Sequence, residues 1–201
     1  MALHLIPNIL AENSIQVIPA YIKDVISPIR IFFVEEIRSA RRLLRALDKN
    51  FDIDACQFIM LNEHQALNSK EAIELLTGEL PIGLISEAGC PSVADPGKEL
   101  VALAHQLNIA VIPHVGPNSI LLALMASGFN GQQFQFLGYL PNKQPFLSQK
   151  IKEIESESRV KNCTQLFIET PYRNDQLIQE ILQHCHADTK LCVAANLTAE
   201  N

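Results

Sequence analysis

The stretch GLISEAGCPSVADPGKEL (Gly83–Leu100) carries Glu87, Cys90 and Asp95 in a loop that also holds two of the chain's eight glycines and two of its eleven prolines. The apolar residues before the loop read as a strand. Asp95-Pro96-Gly97 reads as a helix start, because Asp can cap free N–H groups and Pro loses no hydrogen bond at the first helical position. A loop between a strand end and a helix N-terminus offers backbone N–H and C=O groups to a small polar ligand; a tight structural connection has the same signature. Neither G-x-G-x-x-G nor G-x-x-x-x-G-K-[ST] occurs here, which excludes the dinucleotide fingerprint and the P-loop. Cys90 would be a nucleophile only beside a base or in an electropositive setting. His64 and His114 are not tied to it by spacing, so a packed thiol is the better reading.

Other groups could carry acid–base or phosphate chemistry. Glu35-Glu36 closes a strand, and Glu63-His64 follows another; the C-terminal edge of strands is where α/β proteins place ligands. The helix that follows Glu36 puts Arg38, Arg41, Arg42 and Arg45 on one face, within an arc of about 100° at 3.6 residues per turn. Its own sequence has no acid on that face, which suits either a solvated surface or a phosphate-contacting one. His184-Cys185-His186 lacks a companion pair at ligand spacing, so no metal site is expected.

The elements that must position these groups alternate. Candidate strands are Leu3–Ile6, Ile31–Val34, Phe58–Leu61, Ile82–Ser86, Ala110–Pro113, Phe134–Leu137, Gln165–Glu169 and Lys190–Ala194. Between them lie candidate helices over Val17–Ile29, Glu35–Leu47, Lys70–Thr77, the stretch from Leu100 to Leu107, Ile120–Ser127, Phe146–Glu157 and Thr170–Gln183. Strands alternating with helices imply an α/β protein. A break near His114–Asn118 divides it into an N-terminal α/β domain over 1–114 and a C-terminal α/β domain over 115–201.

Bulk properties narrow the classes further. The chain has 201 residues, 48% of them hydrophobic and 19% charged, which suffices for a real core. It has no run of eighteen apolar residues, so no membrane-spanning helix is expected, and its first ten residues do not read as a secretory signal. Five cysteines without a C-x-x-C pair favour reduced thiols and a cytoplasmic protein. The net charge of −6 argues against a general nucleic-acid binder, but leaves room for a local basic stripe.

Several fragments together resemble one family. LISEAGCPSVADPG is similar to its loop L-V-S-D-A-G-T-P-x-x-S-D-P-G, and VIPHVGPNSILLALMASG to its V-x-P-x-P-G-P-x-A-x-x-x-A-L-x-A-S-G. FLGYLP resembles F-x-G-F-L-P, LFIETPYR resembles F-Y-E-S-x-H-R, FVEEIRSARRLL resembles A-x-E-D-T-R, and LNEHQ resembles H-x-H-N-E. The family is the S-adenosylmethionine-dependent tetrapyrrole-methylase superfamily. Its most similar branch is the ribosomal RNA small-subunit methyltransferase I type, which methylates a cytidine 2′-hydroxyl. The resemblance runs from about Leu3 to the end.

The resemblance implies two α/β domains with the cofactor cleft between them, a tetrapyrrole methylase-like fold, and a homodimer. It implies S-adenosylmethionine held largely by main chain at Gly89, Cys90, Pro91 and Val93, at Ser119 and Ile120, at Ile168 and Glu169, and at Leu197. It further implies catalysis by Glu36 or His64 with Arg38 positioning phosphate, and Arg41, Arg42 and Arg45 as the surface that holds ribosomal RNA. Departures from the family pattern are PNILAEN (Pro7–Asn13) for P-T-P-I-G-N, Glu87 for Asp, Glu36-Ile37-Arg38 within E-D-T-R, and Ala195-Asn196-Leu197-Thr198 for R-E-L-T. Related chains continue for a further helix and strands, so the chain is expected either to lack a terminal piece or to be a shortened member. Three functions follow: methyl transfer to a ribose 2′-oxygen of ribosomal RNA, methylation of a small tetrapyrrole-like molecule, or non-catalytic cofactor binding on the same fold.

Overall fold

The computed structural model describes residues 2–61 and 67–200. The chain divides into two compact units, Met1–Asn118 with Asn196–Asn201, and Ser119–Ala195. The sequence pattern places the boundary after His114, four residues earlier, and assigns 196–201 to the second domain.

The first unit is built on five parallel strands, β1 (Ala2–Ile6), β2 (Ile31–Val34), β3 (Gln57–Met60), β4 (Ile82–Ile85) and β5 (Ala110–Pro113), in the order β3-β2-β4-β1-β5. Strands β2 and β4 are apolar throughout because both faces are covered: β4 is buried at every position and β2 at three of four. One face packs Ile6, Phe32, Val34 and Ile85 against the helices α1 (Ile22–Ile26) and α2 (Ile37–Leu47); the other packs Leu3, Phe33, Ile82 and Leu84 against α3 (Ser69–Leu76) and α4 (Lys98–Gln106). Gly83 is required in β4, since a Cβ there would lie 2.5 Å from the Phe32 ring.

Local details differ from the sequence expectation in two places. Val17–Ile29 is not one helix but a 3-10 turn (Ile15–Val17) followed by the short α1. The helix α4 starts at Lys98 with Gly97 as its N-cap (φ 130°), so the cap position falls two residues past Asp95. A Cβ on Gly97 would meet Ser92 Oγ at 2.7 Å and Leu84 Cδ2 at 2.8 Å, so close packing fixes the start. In α2 the buried positions are Ala40, Leu43 and Leu44, with Ile37 and Leu47 at the margin.

The second unit contains α5 (Ser119–Ser127), the parallel pair β6 (Phe134–Tyr139) and β7 (Thr164–Ile168), α6 (Phe146–Lys161), and α7 (Asn174–His184), which follows a 3-10 turn at Pro171–Arg173. Its core joins Leu140, Leu147, Ile151, Ile154, Leu177 and Ile181. The buried Glu155 of α6 accepts from the His186 N–H at 2.8 Å and from the Thr189 hydroxyl, tying down the turn after α7. Lys190–Ala194, expected as a strand, is exposed and makes no ladder. Its β-forming composition is no substitute for a neighbouring strand to pair with.

Candidate cofactor loop and arginine helix

The ends of β1, β2, β4 and β5 meet at the C-terminal edge of the five-stranded sheet. The loop after β4 runs from Ser86 to Gly97 and holds four left-handed residues: Gly89 (φ 69°), Ser92 (66°), Ala94 (63°) and Gly97 (130°). Ser and Ala pay a steric cost in that region, and such strain persists only where the surroundings over-determine it.

Those surroundings are specific. At the end of β1, the Asn8 N–H donates to the Gly89 carbonyl at 2.8 Å, and the Asn8 carbonyl accepts from the Gly89 N–H at 3.2 Å. Asn8 Nδ2 donates to the carbonyls of Ser86 (3.1 Å) and Glu87 (2.8 Å). At the end of β2, Glu35 Oε2 accepts from the Glu87 N–H at 2.8 Å. Past β5, the Cys90 thiol lies 3.4 Å from the Pro117 carbonyl and 3.8 Å from that of Gly116. Gly116 passes so close to Pro7 that a Cβ would meet the proline ring at 2.0 Å. Burial pushes the Cys90 thiol above its ordinary pKa, so it is a weak donor holding two loops together and not a nucleophile.

The loop keeps donors to spare. Among the described residues, the N–H groups of Ala88, Cys90 and Ser92 donate to nothing, and Ser92 Oγ is buried without a partner. The buried hydroxyl costs free energy unless something pairs with it, and the three half-buried residues offer their N–H groups beside it. The chemistry they suit is a carboxylate or another anion.

Glu36 has a structural task at the start of α2. It is the N-cap of α2, accepting from the Ser39 N–H at 2.6 Å, and its hydrogen bonds to the Arg38 and Ser39 N–H groups hold its carboxyl below the usual carboxylate range. A carboxylate held ionised in this way is a weaker general base. The arginine face is partly countered by neighbouring segments: Arg41 pairs with Asp54 at 3.4 Å and lies over the Phe58 ring, Arg42 faces Glu12 at 3.9 Å, and Arg45 donates to the Lys49 carbonyl at 2.9 Å. Arg38 is exposed and forms no ion pair within 4 Å among the described residues. His64 lies outside the described residues.

The remaining candidates fall on both units. Pro91 is buried and Val93 is exposed at the outer rim of the loop. Leu197 sits in a turn between two left-handed residues, Asn196 and Thr198, and the Thr198 hydroxyl lies 3.5 Å from that of Ser14 in the first unit. Ser119 and Ile120 open α5 in the second unit, and Ile168 ends β7. Glu169 Oε1 accepts from the Thr170 N–H at 2.7 Å, and its Oε2 faces Arg173 at 3.0 Å as an ion pair without a hydrogen bond among the described residues, while Arg173 donates to the Leu140 and Pro141 carbonyls. Sequence reasoning missed Asn8 and the contact of Glu35; the available signal was a polar residue placed directly after a buried strand and its proline.

No family model matches the chain. It is 31% identical to the ribosomal RNA small subunit methyltransferase I of Vibrio cholerae serotype O1 over 175 residues, covering 87% of this chain and 58% of that protein. It is 35% identical to the protein of the same name from Halalkalibacterium halodurans over 149 residues, covering 74% of this chain and 48% of that protein. The chain thus spans about half the length of these relatives. The crystal structure of the native uroporphyrin III C-methyl transferase from Thermus thermophilus superposes with a TM-score of 0.58 at 12% identity, covering 92% of this chain and 77% of that one. The fold is tetrapyrrole methylase-like. Homologues named ribosomal RNA small subunit methyltransferase I match at 28–35% identity over most of the chain. Within a tetrapyrrole methylase-like fold, the strained loop after β4 and the arginine helix after β2 leave from neighbouring strands of one sheet edge.

Proposed function

We propose that the chain is the cofactor-binding and catalytic part of an S-adenosylmethionine-dependent methyltransferase that modifies a ribose 2′-oxygen of ribosomal RNA. The observation that carries this reading is the loop after β4: unused N–H donors and an orphaned hydroxyl in a backbone held left-handed at four residues. S-adenosylmethionine, when bound, supplies an electrophilic methyl group. The main chain of Gly89, Cys90, Pro91 and Val93 would hold it, with Ser119, Ile120, Ile168, Glu169 and Leu197 as further main-chain contacts.

The chain's own contribution is alignment and electrostatics. Orienting an acceptor oxygen for in-line displacement is where most of the rate gain is available. Arg38, Arg41, Arg42 and Arg45 would hold the RNA phosphates, the bidentate role that guanidinium performs better than ammonium. Glu36 fixes the start of their helix through its cap. Removal of the hydroxyl proton falls to Glu36 or His64, and Glu36 is the weakened base of the two because its cap bonds favour the ionised carboxylate. A homodimer in the cytoplasm completes the proposal, and sedimentation of the purified protein tests the dimer.

Calorimetric titration with S-adenosylmethionine and S-adenosylhomocysteine tests the cofactor. One-site binding is expected for the wild type, and none for a folded Gly89→Arg, whose side chain would enter the loop at a left-handed position. Absence of heat from both ligands with folded wild type would sink the reading. Replacing Arg41, Arg42 and Arg45 by Ala tests the acceptor. RNA affinity should fall, and the slope of log K against log salt should flatten by about 2 for three lost single-strand phosphate contacts. A small-molecule acceptor would leave that slope where it was.

A further inference from the structure

The bonds made by Asn8 fall into a pattern when sorted by peptide plane. In a trans peptide the C=O of one residue and the N–H of the next point in opposite directions. Asn8 holds three carbonyls of the loop: Ser86 and Glu87 through Nδ2, and Gly89 through its own N–H. The N–H groups on the far side of those planes belong to Glu87, Ala88 and Cys90. All three are therefore turned away from Asn8.

The first of them already has an occupant. The Glu87 N–H carries a carboxylate oxygen, Oε2 of Glu35, at 2.8 Å. Those of Ala88 and Cys90 carry nothing among the described residues. Glu87 and Ala88 follow one another, and Cys90 stands beyond Gly89, whose own N–H turns back to the Asn8 carbonyl at 3.2 Å; backbone N–H groups turned to one side of a bent loop are donors for an anion. Asn8 is itself 3% exposed, and its Oδ1 accepts from the Ile9 N–H at 2.9 Å, which fixes which end of the amide faces the loop.

We propose that Asn8 is a positioning residue: by gripping three carbonyls it aims the Ala88 and Cys90 N–H groups outward as a paired site for the carboxylate of the cofactor's amino-acid moiety. This rests on the reading of the loop as the S-adenosylmethionine cradle. It explains how PNILAEN serves without the glycine of the family's P-T-P-I-G-N loop, since the amide side chain organises the backbone that it faces. Asp at this position would set an anionic oxygen against the Ser86 and Glu87 carbonyls and release both planes.

The test is calorimetry on wild type and Asn8→Asp with two probes, S-adenosylhomocysteine and 5′-methylthioadenosine, which lacks the carboxylate. At pH 7.5, Asn8→Asp should bind S-adenosylhomocysteine at least about tenfold more weakly, as expected when buried carbonyls lose their donors. Methylthioadenosine affinity should change less than about twofold, because no carboxylate reaches the paired N–H groups. Lowering the pH to 5 should recover part of the loss in the variant alone, since a protonated Asp can donate to one carbonyl again. Equal weakening of both probes, or of neither, would overturn the role assigned to Asn8. Wild type that binds neither probe would instead overturn the cofactor reading. Should Asn8→Asp fail to fold, Asn8→Ala carries the same two-probe comparison, with a smaller expected loss and no pH recovery.

Discussion

The two units solve the same packing problem with unequal means. In the first, a five-stranded sheet is covered on both faces, and Phe32, Phe33, Leu3 and Ile82 are almost wholly withdrawn from water. In the second, two strands carry one core of six buried residues among those described, while Met125, Val160, Tyr172 and Leu182 stand exposed. A strand pair gains independent stability only by packing against helices, and here α6 and α7 supply that packing. The difference teaches where each unit's stability lies: in sheet burial for the first, in a helix-on-strand contact for the second.

The largest effect should come from the sheet centre. Phe32→Ala removes a ring packed between Phe51 and Phe58 and should cost about 3–5 kcal/mol, read from urea unfolding. Gly83→Ala alone should also destabilise, because its Cβ would sit 2.5 Å from that ring. In the Phe32→Ala background the cost of Gly83→Ala should shrink, since the clashing atoms are gone. Additive costs would mean that Gly83 is needed for something other than the space under Phe32.

Next in size is Ile151→Ala, at about 2–4 kcal/mol for a fully buried aliphatic side chain in α6. The informative readout is local. Amides of β6, β7 and α7 should lose hydrogen-exchange protection while those of β1, β2 and β4 keep it. Equal loss in both units would show that they unfold as one body and would erase the contrast.

Much of the first unit was legible in the sequence because its signals are local and mutually consistent. IFFV and IGLI are apolar strands, and the loop after β4 is marked by Gly89 and Gly97. The second unit was harder because its outcome depends on what pairs with what: LCVAA has strand composition, yet Lys190–Ala194 stays outside any ladder. At the site, residue type suggested acid–base chemistry for Glu36, whereas helix geometry makes it a cap, and the neighbouring Glu35 is the one that reaches the loop. Asn8 was illegible because its partners lie some eighty residues away.

A third, smaller effect concerns pH and belongs to the first unit alone. His4 Nδ1 and His114 Nε2 are 3.0 Å apart, with ring centroids at 5.3 Å and planes within 5°. The centroid separation equals the N···N distance plus the two ring radii, so the rings meet edge to edge around one shared proton. Tyr21 flanks His114, and its hydroxyl accepts from the Val115 N–H at 3.1 Å. Burial lowers both imidazole pKa values. The folded state thus binds fewer protons than the unfolded one near pH 6, and stability rises with pH there. The contribution is complete above the unfolded value of about 6.5 and is lost as pH falls below it. The unfolding midpoint should drop between pH 7 and pH 5, and less so in His114→Gln. An unchanged slope in that variant would move the pH response elsewhere.

The smallest expected effect is the sharpest test of the comparison. Leu182 is 75% exposed on α7, while its neighbour Ile181 is buried in the core of the second unit. If that face is in water, Leu182→Lys removes no packing and should change unfolding free energy by no more than about 0.5 kcal/mol. Ile181→Lys, one residue away, buries a charge and should melt the unit. A loss above about 2 kcal/mol for Leu182→Lys, a size that only buried aliphatic groups reach, would mean that α7 is covered in solution. The second unit's core would then be larger than the six residues that fill it here, and its thinness would belong to the isolated chain and not to the working protein.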